Sequence, residues 1–251
     1  MRRGGKIAIA AIVAVVLVLG LPVWWFMYSS KKAFKTFTPR DTGEIGEGFF
    51  AVRDDTVNVY VARAGDVYSL FDAGAKADAV MMGLESVGVD PAKVTAVFLT
   101  HTDFDHVAAV GKFPNATVYI SESEAAMVNG KVKRALFFSN ALKVPYKTIR
   151  DGETLRVDDR SVTAIVTPGH TAGSACYLLD STYLVTGDNL SVVDGKIGHF
   201  AEFFNMDTGE QERVIDALVK RPELSGVTTL LTAHYGVSTD AKHLFAERAG
   251  R

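Results

Sequence analysis

The chain has 251 residues, 48% of them hydrophobic and 22% charged, with 22 glycines and 7 prolines. That composition excludes disordered, collagen-like and low-complexity classes and leaves ample apolar material for a layered core. The single cysteine, Cys176, excludes an internal disulfide framework and any multi-cysteine zinc or iron–sulfur centre, so a bound metal would rest on histidine and carboxylate. Net charge is −2; the first thirty residues hold three basic groups and no acidic one, leaving 24 basic against 29 acidic beyond them. Nothing in that balance favours a polyanion, and nucleic acid is not an expected partner.

Residues 7–28, IAIAAIVAVVLVLGLPVWWFMY, are uncharged and almost wholly apolar. As a helix rising about 1.5 Å per residue this run reaches about 33 Å, enough for a hydrocarbon core. Trp24, Trp25 and Tyr28 lie at one end, where amphipathic rings suit the headgroup region. A cleaved signal peptide is the alternative. The length of the run, and bulky Trp-Trp-Phe-Met where small residues would mark a cleavage site, favour an uncleaved single-pass anchor over residues 1–30. Basic residues flank both sides, so orientation rests on the usual export of a domain after a short basic start, which puts the domain on the extracytoplasmic side. Residues 31–42 read as a polar, aperiodic linker, and 43–251 as one domain.

Within that domain, residues 56–61 alternate as a half-buried strand, with Val57, Val59 and Val61 on one face. Residues 67–71 form its hairpin partner across Arg63-Ala64-Gly65-Asp66. Asp72-Ala73-Gly74 makes a turn, and Val80, Met81, Leu84 and Val87 predict a helix over 78–87. The continuous apolar run 94–99 predicts an interior strand. Shorter strands are expected over 118–120, 161–166, 176–179, 183–185 and 227–231. Thr208-Gly209-Glu210-Gln211 has the capping-box pattern and opens a helix that stops before Pro222. Short strands interleaved with helices imply a layered α/β domain.

Directly after the strand 94–99 comes Thr100-His101-Thr102-Asp103-Phe104-Asp105-His106, four potential ligands within six positions. Imidazole nitrogen and carboxylate oxygen both coordinate a divalent cation, but these side chains converge only in a tight loop, which the apolar residues 107–110 would close by starting a helix. Three more strand ends run into turns bearing His or Asp: Thr167-Pro168-Gly169-His170-Thr171-Ala172-Gly173, Thr186-Gly187-Asp188-Asn189 and Thr232-Ala233-His234-Tyr235-Gly236. The glycines and Pro168 permit sharp turns, and Thr171 offers a hydroxyl behind a ligand.

This set of motifs resembles the metallo-β-lactamase superfamily, whose signature is H-x-H-x-D-H followed by a separate His, Asp and His. The resemblance covers residues 43–240, with intervals like those of glyoxalase II and the acyl-homoserine lactonases, and Asp72-Ala73-Gly74 matches the family's early turn. It implies a four-layered αββα sandwich, here preceded by a transmembrane helix. It also implies two divalent ions, the first held by His101 and His170, the second by Asp105, His106 and His234, with Asp188 bridging. Asp103 stands where the motif's second His belongs. A carboxylate can still ligate, as in flavodiiron proteins and the related domains of DNA-uptake channel proteins. With Asp103, two divalent cations meet Asp103, Asp105, Asp188 and a hydroxide in a neutral centre, which suits iron or manganese better than a His-rich site would. Zinc is the default for a hydrolase.

Two ions about 3.5–4 Å apart can hold a hydroxide at neutral pH and polarise a substrate oxygen. The leading expectation is therefore a membrane-anchored dinuclear hydrolase of a small ester, lactone, thioester or amide. Asp105 would act as the catalytic group that orients the nucleophile or passes a proton to the leaving group. Phe137, Phe138, Phe200, Phe203 and Phe204 are candidate pocket walls, and Tyr235 a hydrogen-bond donor to substrate. His199 and His243 read as ordinary polar residues, Cys176 as a small buried hydrophobe, and Glu122 and Glu124 as helix-start charges. The alternatives are a phosphodiesterase, a diiron redox centre, and a non-catalytic metal-binding module.

Overall fold

The structure, a computed structural model, describes residues 20–134 and 140–250. Two units are distinct, one ending at Phe37 and one beginning at Thr38. In the first, α1 (Leu21–Phe34) has a proline in its first turn, where the missing N–H costs nothing, and Lys31 and Lys32 in its last turn, where they face the negative end of the helix dipole. Residues 31–34 are therefore helical rather than an aperiodic linker, and Thr38 and Arg40 already belong to the domain. The Thr38 N–H donates to the His234 carbonyl, and Asn58 pairs with both backbone groups of Arg40 at 2.7 Å. Among the described residues no helix is long and apolar enough to cross a membrane. Residues 7–19 of the expected span lie outside the described residues.

Strands β1 (Gly43–Gly46), β2 (Phe49–Asp54), β3 (Val57–Ala64), β4 (Val67–Phe71), β5 (Val94–Phe98), β6 (Thr117–Ser121) and β7 (Tyr146–Ile149) form one sheet in chain order. Pairing is antiparallel up to β4 and parallel from β4 to β7. The second sheet runs β15 (Gly236–Ser238), β14 (Thr229–Thr232), β11 (Tyr183–Gly187), β10 (Ala175–Leu179), β9 (Arg160–Val166) and β8 (Thr154–Val157). A small hairpin, β12 (Ser191–Val193) with β13 (Lys196–Gly198), follows β11.

Three apolar layers join these elements into a helix–sheet–sheet–helix sandwich. Between the sheets lie Phe49, Tyr60, Phe71 and Phe98 from the first and Val162, Tyr177, Val185 and Leu231 from the second. Val80 and Leu84 of α2 (Ala77–Ser86) pack on the outer face of the first sheet against Val59, Val61 and Val97. Ile215 and Leu218 of α5 (Thr208–Leu218), with Leu244 and Phe245 of α6 (Ala241–Ala249), cover the second against Ile165, Cys176 and Leu230. Each large side chain buried in these layers contributes roughly 1.5–3 kcal/mol.

The structure departs from the sequence pattern where a layer was invisible locally. Strand β3 is buried on both faces, not one, because Val59 and Val61 meet α2 while Tyr60 and Ala62 meet the second sheet. The helix expected over 107–110 instead begins inside the motif as the single turn α3 (Phe104–Val107). The cap of α5 is Asp207, one residue earlier than expected, whose carboxylate accepts the Glu210 N–H at 2.8 Å. The interior strand 94–99 is β5, paired in parallel on both sides.

Candidate metal centre

The C-terminal ends of β4, β5, β9, β11 and β14 open onto one rim, and each delivers one of the sequence motifs. Two buried tyrosines fix the height of those ends. The Tyr177 hydroxyl donates to the Leu99 carbonyl at 2.9 Å, just ahead of the β5 motif, and the Tyr60 hydroxyl to the Thr232 carbonyl at 2.8 Å, just ahead of His234. Burial holds both phenols above their ordinary range, so they stay neutral donors. Gly187 has φ +54°, and a Cβ there would come within 2.2 Å of the Thr100 hydroxyl, so only glycine lets Asp188 approach the β5 loop.

All seven predicted site residues meet. At one end, His170 Nε2 lies 3.2 Å from His101 Nε2 and 3.3 Å from an Asp103 oxygen, and His101 Nε2 lies 3.6 Å from that oxygen. At the other, His234 Nε2 lies 3.5 Å from Asp105, and His106 Nε2 3.9 Å from Asp105. Asp188 stands between them, 3.6 Å from both His106 Nε2 and His170 Nε2 and 3.3 Å from His234 Nε2. Donors about 2.0–2.2 Å from a tetrahedral ion are separated by roughly these distances.

The four imidazoles share one arrangement. Each turns Nδ1 outward to an acceptor: His101 to the Thr100 hydroxyl at 3.0 Å, His106 to Asp72 at 2.8 Å, His170 to Asn205 Oδ1 at 3.1 Å, His234 to the Thr56 carbonyl at 2.6 Å. Thr100 can accept from His101 because its own proton goes to Asp72, 2.9 Å away. Acceptors at every Nδ1 put the proton there and make Nε2 the lone-pair nitrogen of the neutral ring. Two such lone pairs 3.2 Å apart at His101 and His170 repel unless a positive charge lies between them. Among the described residues His106 Nε2 is buried with no hydrogen-bond partner, which a cation would satisfy. The donor set therefore fits divalent metal ions.

The carboxylates favour positive charge at one end of the cluster and burial disfavours it on His101. Burial, with the neighbouring His106 and His170, holds His101 well below the usual imidazole range. Burial also opposes the charged form of His106 and His234, but Asp72 and Asp188 at the first and Asp188 at the second outweigh it and raise both. Asp188 is lowered despite burial by His234 and His106, and Asp103 despite burial by His170, His101 and Arg134. Asp103 and Asp188 thus stay ionised in a site that is almost closed to water.

Several contributors were not singled out from sequence. Arg134 binds Asp103 at 2.6 Å, donates to the His170 and Phe204 carbonyls and reaches 3.3 Å from His170 Nε2; Asn140 donates to the other Asp103 oxygen at 2.8 Å. Asp72, matched only as part of a turn, sits at φ +63° and holds both Thr100 and His106. Glu124 lies in the first turn of α4 (Glu122–Val128), as expected of a helix-start charge, but it is also fully buried and bridges the two motif loops. It accepts from Thr102 N–H and hydroxyl at 2.8 and 2.6 Å and from Thr171 at 2.7 Å. Capping patterns reveal none of this, because Glu124 meets its partners across 22 and 47 residues.

Among the predicted walls, Phe200 packs 5.1 Å from His170 and 5.3 Å from His234, with Phe204 and Tyr235 beside it. Phe203 stacks edge-on with Phe204, and Phe104 on α3 is 79% exposed at the rim. Phe137 and Phe138 lie outside the described residues. His199 bonds the Phe200 carbonyl away from the cluster, and Cys176 is buried in β10 as expected.

The chain is 32% identical over 143 residues to a hydroxyacylglutathione hydrolase of Salmonella typhi, covering 55% of this chain and 47% of that protein. It is 29% identical over 122 residues to a Bacillus velezensis protein named "Probable polyketide biosynthesis zinc-dependent hydrolase BaeB", covering 47% and 48%. The matches thus span about half the length of these relatives. A metallo-beta-lactamase family protein from Thermus thermophilus superposes with a TM-score of 0.60 at 21% identity, over 82% of this chain and 80% of that one, which supports the fold. The family model for the metallo-beta-lactamase superfamily matches residues 52–234, from β2 to the last histidine of the cluster, and the chain belongs to that superfamily.

Proposed function

We propose that the chain is a metal-dependent hydrolase that holds one divalent cation between His101, Asp103 and His170 and a second between Asp105, His106 and His234, with Asp188 shared. The observation that carries this reading is the common orientation of four histidines, each Nδ1 anchored outward and each Nε2 turned into a cluster of three carboxylates. The names of the relatives support hydrolysis, and one of them supports zinc. When bound, such ions activate water at neutral pH and polarise the substrate oxygen.

The chain's own residues supply the rest. Asp105, whose side chain is 22% exposed where its partners are closed off, is placed to orient the attacking water and carry a proton toward the leaving group. Phe200 excludes water from beneath the cluster, and Phe104, Phe203, Phe204 and Met206 give the rim an apolar character suited to a small ester, lactone, thioester or amide. The test is hydrolysis of a panel of those substrates, with a phosphodiester included, by chelator-treated and zinc-restored protein. Zinc-dependent turnover of one acyl class is expected; zinc binding without turnover of any member would sink the catalytic reading.

Membrane anchoring belongs to the same proposal. Seven apolar residues of α1, including Trp24, Trp25 and Tyr28, are each more than half exposed, which supports an anchor; the extracytoplasmic placement of the domain rests on the usual export of a domain after a short basic start. Retention of the protein in membranes after alkaline carbonate extraction, with the domain open to external protease in spheroplasts, is the expected outcome. Release by carbonate would refute the anchor.

A further inference from the structure

We infer that Arg134 makes the two cation positions unequal, so that the position at Asp105, His106 and His234 fills first and the one at His101, Asp103 and His170 fills later. The inference rests on the dinuclear reading above. Arg134 and Asp103 are both largely buried, and the guanidinium binds the carboxylate oxygen that faces His170 and His101. The same Nη2 lies 3.3 Å from His170 Nε2, on the side where that ring presents its lone pair. Donation to the His170 and Phe204 carbonyls fixes the fork in place. One positive charge therefore already neutralises Asp103 and engages His170, two of the three groups that a cation at this end would need.

At the other end no guanidinium or ammonium pairs with Asp105 among the ion pairs of the described residues, and His106 is backed by the carboxylate of Asp72. A cation arriving there faces three carboxylates, Asp72 included, and among the ion pairs of the described residues neither Asp105 nor Asp72 is already neutralised by Lys or Arg. Arg134 also changes the charge count of the centre. The extra carboxylate that Asp103 brings in place of a histidine is cancelled by the guanidinium, so the centre regains the +1 of a histidine-bearing site. Asp103 and Arg134 act as a pair.

The test is calorimetric titration of the full chain, stripped of metal, with Zn²⁺ in the presence of a competing chelator. The wild type is expected to show a tight step of one equivalent and a weaker step of one equivalent. His234→Ala should remove the tight step and His170→Ala the weak one. Arg134→Gln should tighten the weak step by about tenfold or more, since a buried unit charge near the ion is worth at least that, and leave the tight step unchanged. Arg53→Gln, which removes an exposed guanidinium paired with Asp41, should change neither. If Arg134→Gln does not fold, dialysis of wild type against a weak chelator still decides, with one retained equivalent expected. Two equal steps, the reverse assignment in the histidine variants, or an unaltered weak step in Arg134→Gln would overturn the inference while leaving the dinuclear reading intact. No zinc binding in any variant would overturn both.

Discussion

At one end of the ligand cluster Asp103 is held by a cationic fork and an amide, Arg134 and Asn140, that arrive from far along the chain. At the other, Asp105 and His106 sit on one helical turn, and their support comes from Asp72 at the end of a neighbouring strand. The first end is a loop position balanced by an opposing charge, and the second is built into the edge of the sheet. Where the supporting group is anionic the imidazole is made a better cation ligand, and where it is cationic it competes with the ion. One cluster of similar residues can thus hold two positions of different character.

Variants that remove what the two ends share should have the largest effect. Asp188→Ala takes away the carboxylate that faces both, and elemental analysis should find both zinc equivalents lost, with turnover falling by more than the about 100-fold that loss of an outer partner costs. Retention of either equivalent would mean that the ends are independent. Asp72→Ala next attacks one end through its support: zinc affinity should weaken by about 10–100-fold at the tight step, and an unaltered titration would remove Asp72 from the account.

Glu124→Ala acts on the opposite end without touching a cation. It strands the Thr102 N–H and hydroxyl in a buried setting, for an expected loss of about 1–3 kcal/mol in chemical denaturation. Glu124→Gln, which keeps one acceptor oxygen, should recover part of it; equal losses would show that only the charge matters. The smallest effect lies outside both ends, at Cys176. Burial pushes its thiol up to about 12 from 9.0, so the folded chain keeps a proton that the unfolded chain releases. The stability due to the neutral thiol is whole below pH 9.0 and is lost as pH rises toward about 12. Its slope is about 1.4 kcal/mol per pH unit for one proton. Cys176→Ala should lie about 1 kcal/mol below wild type at pH 7 and lose that part of the alkaline slope. Parallel curves for the two proteins would refute the assignment.

The seven clustered residues were legible because each sits within a few positions of a strand end, and strands announce themselves by local patterning. His101 follows an unbroken apolar run, and Gly169, Gly187 and Gly236 mark turns beside His170, Asp188 and His234. Arg134, Asn140 and Glu124 carried no such mark. Their partners are 31, 37 and 47 residues away for the contacts to Asp103 and Thr171, and a charged residue near a helix start or in a loop looks solvated until the fold closes over it. The same applies to β3, whose second buried face required the other sheet.

Local chemistry thus decides which side chains are offered at the rim, since residue type and turn propensity act over a few positions and survive in the pattern of the chain. Which nitrogen of each histidine faces inward, which carboxylates are already balanced, and which end is opposed by a fixed positive charge are settled by groups that meet only when the two sheets pack. Electrostatic and hydrogen-bond energies depend on distance and burial in space, and separation along the chain carries no record of either.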